Sequence, residues 1–287
     1  MTPARTIAPL PWMTAPETVE VIEALQGDAP EPMALFVGGC VRNAVLGTSQ
    51  GDIDIATRWL PHETTQRLQT AGIKVVPTGI EHGTVTAVCH GKPFEITSLR
   101  KDVATDGRRA TVAFTQDWAE DAQRRDFTMN TLLCDANGHI FDPTGEGLAD
   151  LEAGRVRFVG DAKQRIAEDY LRILRFFRFH AIYGRGEPDA TALAACRAGS
   201  HGIASLSRER ITQEMSRIVM NDNPVPILKL MHDHFIVRDL FHTAYDPHKL
   251  EALCRFQTQH GWKSFAARLI VMADYDAPFL ASMKKTL

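Results

Sequence analysis

The chain has 287 residues, of which 44% are hydrophobic and 23% charged, with a formal net charge of −3. Such values suit a globular protein of one large or two to three modest domains, and they exclude disordered, collagen-like and pure coiled-coil chains. The slightly acidic balance also excludes a protein that coats nucleic acid by bulk charge, so any RNA contact must come from a local patch.

In chain order, a Pro-rich lead runs into a short amphipathic helix at 17–26 and a linker at 27–32. The apolar run 33–37 has strand length and stops at Gly38-Gly39. CVRNAVLG then has helical spacing and ends at Gly47, a suitable C-cap. GDIDIAT alternates polar and apolar residues, the period of a strand with one wet face. A helix is expected at about 61–71, with Pro61 early and Gly72 after it. Strands are expected at 73–76, 84–89 and 93–99, with a hairpin turn at His90-Gly91-Lys92. The polar stretch 100–117 reads as a mobile loop, 118–132 as a helix, and LCDANGHIFDP as a last strand or turn. Beyond about 147 helical periodicity dominates, and that shift marks a domain boundary.

The five cysteines (Cys40, Cys89, Cys134, Cys196, Cys254) form no C-x-x-C pair. They argue against a disulfide framework or a zinc ribbon and for a reducing compartment. The N-terminus has no apolar core of signal-peptide length and no stretch reaches about 18 apolar residues, so the expectation is a cytoplasmic protein without a membrane span.

The first chemical constellation is Gly38-Gly39-x-x-Arg42 followed by Asp52-x-Asp54. Paired glycines let backbone approach a bulky anion, and the next helix start offers N–H groups to phosphate, with Arg42 adding charge-assisted bonds. Asp52 and Asp54, two apart on a strand, would point to one face. Two carboxylates on one face call for a cation, and with triphosphate oxygens they suit Mg²⁺. This run, GGCVRNAVLG…GDIDIAT, resembles the opening motif of the nucleotidyltransferase superfamily, in the class that holds bacterial CCA-adding enzymes and bacterial poly(A) polymerases. Asn43 departs from that pattern, which usually has Asp after the Arg.

QRRDFTMN, with Arg124, Arg125 and Asp126, matches the second motif of the family. Adjacent residues on a helix point about 100° apart, so one arginine can face a triphosphate while the other anchors locally, for instance to Asp126; the resemblance implies the phosphate contact, and which arginine makes it stays open. Arg100, Lys101, Asp106, Gly107, Arg108 and Arg109 resemble the flexible catalytic loop of the family. Glu95 is either a third acidic group near the metals or a solvated strand residue.

The segment 164–180 reads as one helix, with Ile166, Tyr170, Ile173, Leu174 and Phe177 on an apolar face. Asp169, Arg172, Arg175 and Arg178 lie opposite. From Arg155 to Arg185 there are eight basic residues and three acids, a local +5 suited to triphosphate or RNA backbone. E-D-x-x-R-x-x-R-x-x-R-F resembles a further family motif, in which the Asp and first Arg act as a template for the incoming base. Cytosine and adenine both present an amino donor beside a ring-nitrogen acceptor, which a carboxylate plus a guanidinium would read. Guanine and uracil present the reverse. Ser207-Arg208-Glu209-Arg210-Ile211…Glu214 resembles the motif that braces this helix, with Ser207 as an N-cap and Arg210 and Glu214 as an i,i+4 pair. His232-Asp233-His234 is set aside as a metal site, because it sits at a helix end without the further partners such a site needs.

The resemblance implies an α+β fold, with a small mixed or antiparallel sheet in a nucleotidyltransferase head and an all-α neck and body. The expected divisions are 1–32 as an N-terminal extension, 33–146 as the catalytic head, 147–200 as a base-recognising neck and 201–287 as part of a body. The implied function is CCA addition to tRNA from CTP and ATP with Mg²⁺. A poly(A) polymerase or a CC- or A-adding enzyme is the near alternative, and an RNA-binding protein with a decayed active site the distant one.

Overall fold

The computed structural model describes residues 1–49, 51–106, 109–236 and 247–272. These divide into two compact units, one of Met1–Ala153 with Arg157–Gly160, the other of Gly154–Val156 with the described residues from Asp161 onward.

The first unit is built on strands β1 (Arg5–Thr6), β2 (Ala34–Val37), β3 (Asp54–Thr57), β4 (Lys74–Gly79), β5 (Thr84–Cys89), β6 (Lys92–Ser98), β9 (Leu133–Cys134) and β10 (His139–Phe141). They form one sheet in the order β1-β10-β9-β2-β3-β6-β5-β4. Among the described strands only β3 and β6 pair in parallel, and their register sets Asp54 beside Glu95. Three helices of the unit are α1 (Pro16–Gln26), α2 (Gly39–Leu46) and α3 (Pro61–Thr70). Leu35, Val37, Ala56, Leu99, Trp118, Leu133 and Phe141 make an apolar cluster at most 5% exposed. It draws on strands distant in sequence, so closing it fixes the central β2–β3 pair that carries the site. The turn between β5 and β6 has His90 at φ 48° and Gly91 at φ 80°, the two left-handed positions of a type I′ hairpin.

Two expectations for this unit are corrected. The polar stretch after residue 99 is not a loop: β7 (Arg100–Asp106) and β8 (Arg109–Phe114) form a two-stranded antiparallel sheet. Gly107 and Arg108 lie outside the described residues. The helix expected over 118–132 stops early, as α4 (Trp118–Gln123). Phe127 turns extended and bridges Phe158, while Thr128 N and Val159 N donate to the carbonyls of Arg157 and Asp126. Backbone pairing with a remote segment has replaced the helical ladder there. Helix α5 (Gly147–Ala153) follows, and its fully buried Asp150 accepts from Thr128 Oγ1 at 2.7 Å and from Arg157 Nε at 2.9 Å.

The second unit is helical in all its regular elements among the described residues: α6 (Ala162–Glu168), α7 (Leu171–Tyr183), α8 (Ala190–Gly199), α9 (Arg208–Val219), α10 (Val225–Asp233), α11 (Pro247–Gln259) and α12 (Phe265–Met272). The single helix expected over 164–180 is two. Asp169 is extended (φ −158°, ψ 106°), and its Oδ1 accepts from Leu171 N at 3.1 Å. A short acidic side chain competes with the helical ladder for backbone donors, the usual reason such residues sit at helix starts. Ile173, Leu174 and Phe177 are fully buried, as the apolar periodicity requires, and Ile166 is 2% exposed.

A fully buried arginine secures the far helices of this unit. Arg268 donates to Val219 O at 2.6 Å, Asn221 O at 2.8 Å and Gln257 Oε1 at 2.8 Å, satisfying carbonyls at the end of α9. Arg268→Ala strands those acceptors in an apolar interior, so stability should fall by about 3 kcal/mol. Urea unfolding measures it, and a change within about 0.5 kcal/mol would show that water replaces the arginine.

Candidate active site

The site in the first unit begins where β2 ends. Gly38 has φ 74° and ψ −126°, a conformation glycine adopts at no steric cost. A Cβ placed there would stand 3.9 Å from Asp54 Oδ2 and 4.0 Å from Arg125 Nη1, so its absence keeps open the space between an acid and a cation. No side chain caps the start of α2. Gly47 closes that helix in the left-handed conformation, as its C-cap reading anticipates.

Asp54 opens β3, whereas Asp52 lies just before the strand instead of on it. The alternation survives the shorter strand, since Ile53 and Ile55 are buried while Asp52 is exposed and Asp54 half-buried. Burial pushes the Asp54 carboxyl up to about 6, the neighbouring charges of Glu95 and Asp52 push the same way, and Arg125 opposes them. Glu95 is exposed to solvent and adjacent to Asp54 at once. A cluster of oxygen donors whose mutual repulsion is relieved in part by one arginine is chemically suited to a hard divalent cation.

The two adjacent arginines share an anchor, and it is not Asp126. Asp121, 2% exposed, takes Arg124 Nη2 at 2.6 Å on one oxygen and Arg125 Nη2 at 2.9 Å on the other. Arg124 Nε also donates to Arg100 O at 3.1 Å, which ties it to β7. Arg125 is the one that reaches Gly38 and Asp54. Asp126 instead accepts from Phe127 N at 2.8 Å and Asn130 Nδ2 at 2.9 Å. Asn130 in turn accepts from Arg42 Nη1 at 2.7 Å, and Arg42 is 7% exposed. Asn43 accepts from Arg42 Nη2 at 3.2 Å and donates to Ser49 O at 2.9 Å. The residue that departs from the family pattern therefore connects Arg42 to the segment leading to Asp52.

Asp121 escaped the sequence reading, and Asn130 entered it only as the last letter of QRRDFTMN, without a role. The i,i+3 and i,i+4 spacing of Asp121 to Arg124 and Arg125 was a usable signal; nothing local marked the bond of Asn130 to Arg42.

The second unit gathers the remaining residues around Asp169. Asp169 Oδ2 accepts from Arg210 Nη2 at 2.7 Å. Arg172 binds Glu168, the carboxylate just before the helix break, and donates to Arg165 O at 2.8 Å. Asp169 and Arg172 thus stand at one helix junction, each held by a different charged partner. Glu214, 3% exposed, takes Arg178 Nε at 2.6 Å, with Arg217 at 3.6 Å and Arg175 at 3.8 Å. The expected Arg210–Glu214 pair is corrected: α9 sends both residues to the Asp169–Arg178 segment instead of to each other. Ser207 is the N-cap of α9, although its side chain makes no capping bond to the backbone. Tyr170 packs on Gly202, where a Cβ would fall 2.2 Å from the ring.

A glycine turn beside clustered carboxylates, on a mixed sheet followed by a helical unit, is the architecture of a nucleotidyltransferase head. The poly(A) polymerase head domain matches residues 34–157, and the probable RNA- and SrmB-binding site of polymerase A matches residues 187–244. The chain belongs to the family of CCA-adding tRNA nucleotidyltransferases and bacterial poly(A) polymerases. It is 45% identical over 204 residues to the mitochondrial CCA tRNA nucleotidyltransferase 1 of Mus musculus, covering 69% of this chain and 46% of that one. It is 38% identical over 219 residues to the CCA-adding enzyme of Lactiplantibacillus plantarum, covering 76% and 51%. The chain therefore spans about half the length of the curated relatives it matches. The CCA-adding enzyme of Bacillus stearothermophilus in complex with CTP superposes with a TM-score of 0.68 at 32% identity, covering 77% of this chain and 52% of that one. The Thermotoga maritima CCA-adding enzyme complexed with tRNA shares the fold, with a TM-score of 0.76 at 21% identity, over 99% and 70% of the two chains.

Two predictions follow from the electrostatics. Burial pushes the Asp121 carboxyl up, but Arg125 and Arg124 outweigh it and leave it below its ordinary value. A depressed carboxyl stabilises the fold above the carboxylate range and loses that stabilisation as pH falls. Asp121→Asn should cost about 3 kcal/mol at pH 7, and the gap to wild type should narrow as pH drops below about 4. A gap that stays constant from pH 7 to pH 3 would contradict the ion-pair account. At Asp54 the sign is opposite. Asp54→Asn should stabilise the metal-free protein at pH 8 by about 1 kcal/mol, after allowance for solvent screening. Calorimetry with and without Mg²⁺ checks this: added Mg²⁺ should raise the melting temperature of the wild type more than that of the variant.

Proposed function

We propose that this chain is a nucleotidyltransferase that adds C, C and A to the 3′ end of tRNA from CTP and ATP, with Mg²⁺, releasing pyrophosphate. The single observation that carries the reading is the grouping of Asp52, Asp54, Glu95 and Arg125 around the open Gly38 backbone. The names of the relatives, CCA tRNA nucleotidyltransferase and CCA-adding enzyme, support the same substrate class.

Asp52 and Asp54 would hold the metal, with Glu95 adding negative potential beside them. Mg²⁺ bound there would lower the pKa of the primer hydroxyl and offset charge on the departing pyrophosphate. Gly38 and Gly39 admit the triphosphate close to backbone, where the N–H groups at the start of α2 can donate to it. Arg125 is the arginine we assign to phosphate; Arg124, tied to Asp121 and Arg100 O, positions it. Arg42, buried on Asn130, fixes the helix start beneath the phosphates.

Base choice falls to Asp169 and Arg172, within the 147–200 neck. Asp169 accepts from the amino group of cytosine or adenine, and Arg172 donates to the adjacent ring nitrogen. Arg210 and Glu168 hold the two side chains in place before the base arrives. Arg175 and Arg178 are assigned to the nucleotide from the helix side, with Glu214 fixing their direction. The five cysteines are free and buried, which suits a reducing compartment such as the cytoplasm. Among the described residues no helix is long and apolar enough to cross a membrane.

The test uses tRNA lacking its CCA end, with each nucleoside triphosphate alone and with CTP plus ATP, and sequencing of the product ends. Growth by C, C and A is the expected product; a long A tail would make it a poly(A) polymerase, and no product would make it a binding protein. Asp169→Ala and Arg172→Ala should relax discrimination against UTP and GTP by about 10- to 100-fold in kcat/KM. If both variants lose rate uniformly with the four nucleotide ratios unchanged, the pair only braces the helix junction.

A further inference from the structure

We propose that Glu20, Cys89 and His90 form a binding site for a zinc-like divalent cation where α1 meets the β5–β6 hairpin, separate from the carboxylates of the active site. Glu20 Oε1 lies 2.9 Å from His90 Nε2, and Glu20 Oε2 lies 3.4 Å from Cys89 Sγ. The three ligand atoms all lie within 4.8 Å of one another. A tetrahedral zinc with bonds of about 2.0–2.3 Å holds its ligand atoms roughly 3.3–3.8 Å apart, so small side-chain rotations close the site.

The donor chemistry separates this cluster from the catalytic one. Asp52, Asp54 and Glu95 offer oxygen alone, which suits a hard ion such as Mg²⁺. Thiolate, imidazole and carboxylate together suit a borderline ion such as Zn²⁺. Three protein ligands leave a fourth position for water. Glu17, one helical turn before Glu20, shares its face of α1 and adds negative charge near Cys89 and His90. That carboxylate is engaged by Lys92 Nζ at 3.2 Å, which keeps it at the edge of the cluster.

The backbone supplies an independent observation. His90 is one of two non-glycine residues with positive φ among the described residues. The first central position of a type I′ turn favours Asn, Asp or Gly. A histidine there carries a small conformational cost, and it brings the imidazole beside the last residue of β5. Cys89 is 4% exposed while His90 and Glu20 are open to solvent, so an ion can enter from one side and meet the sulfur beneath. The competing account is a hydrogen-bonded strap that holds the hairpin to α1, which needs His90 and Glu20 but not a sulfur.

Cobalt substitution separates the two accounts. The whole chain, stripped with a chelator, is titrated with Co²⁺ alone and then with Zn²⁺. One equivalent should produce a thiolate-to-cobalt absorption band in the near ultraviolet, and Zn²⁺ should displace it. The active-site carboxylates cannot give that band. Cys89→Ser should abolish it, and Glu20→Gln should weaken Zn²⁺ affinity at least about tenfold. His90→Asn, which suits the left-handed turn, removes the ring while keeping the hairpin and should weaken binding similarly. Absence of the band in wild type, or a band unchanged in Cys89→Ser, would overturn the site and leave the strap.

Discussion

Like charges held close on two interior strands of the sheet set the terms for the first unit. Asp54 is half-buried, and both Glu95 and Asp52 raise its proton affinity. A solvated loop would relax such a cluster apart; here the parallel β3–β6 register forbids it, because Asp54 and Glu95 are paired residues of adjacent strands. The parallel pair is thus more than a topological detail. It fixes a repulsion that protonation, a cation or an arginine must answer, and Arg125 answers it in part. The buried Asp121 keeps Arg125 from folding onto the carboxylates altogether, since it takes one edge of the guanidinium for itself. The unit therefore holds separated charge near an open backbone, an arrangement that stability alone would not favour.

The helical unit solves a related problem with the opposite sign. Its Arg-rich helix would repel itself if its cations were left to water, so buried or half-buried acids receive them. Glu214 reaches three arginines and Glu168 two. Extended backbone at Asp169 matters here because it removes the carboxylate from the helical ladder and turns one oxygen to Leu171 N and the other to Arg210. Tyr170, pressed on Gly202, leaves no room for a bulkier residue at that junction, which holds the break in place.

Motifs with local geometry were legible in the sequence. Gly38 needs its backbone conformation whatever lies nearby, and Asp52-x-Asp54 keeps its alternation even though the strand starts late. The elements that misled were those decided by remote partners. Arg100–Phe114 is polar, so no apolar alternation signalled a strand pair, yet β7 and β8 pair through their backbones. The 118–132 stretch keeps helical periodicity, but pairing of Phe127 with Phe158 overrides it. Across Asp169, Ile166 and Ile173 stay in phase, so the break left no trace in the apolar pattern. The division of labour between Arg124 and Arg125 could not be read either, because it depends on Gly38, nearly ninety positions away.

The count of eight cations against three acids between Arg155 and Arg185 illustrates the same limit for electrostatics. Counted along the chain, the segment is strongly basic. In space, Arg165 and Arg172 are matched by Glu168, and Arg175 and Arg178 by Glu214 from α9, which lies outside the counted window. The field a phosphate would feel is therefore weaker than +5. What remains is directional: the matched guanidiniums are held by their acids rather than left to swing in water. A planar group already oriented gives up less conformational freedom when it meets a second acceptor than a free side chain does. The acids on these helices thus exchange raw attraction for orientation, which is what reading one edge of a base requires and what bulk charge cannot provide.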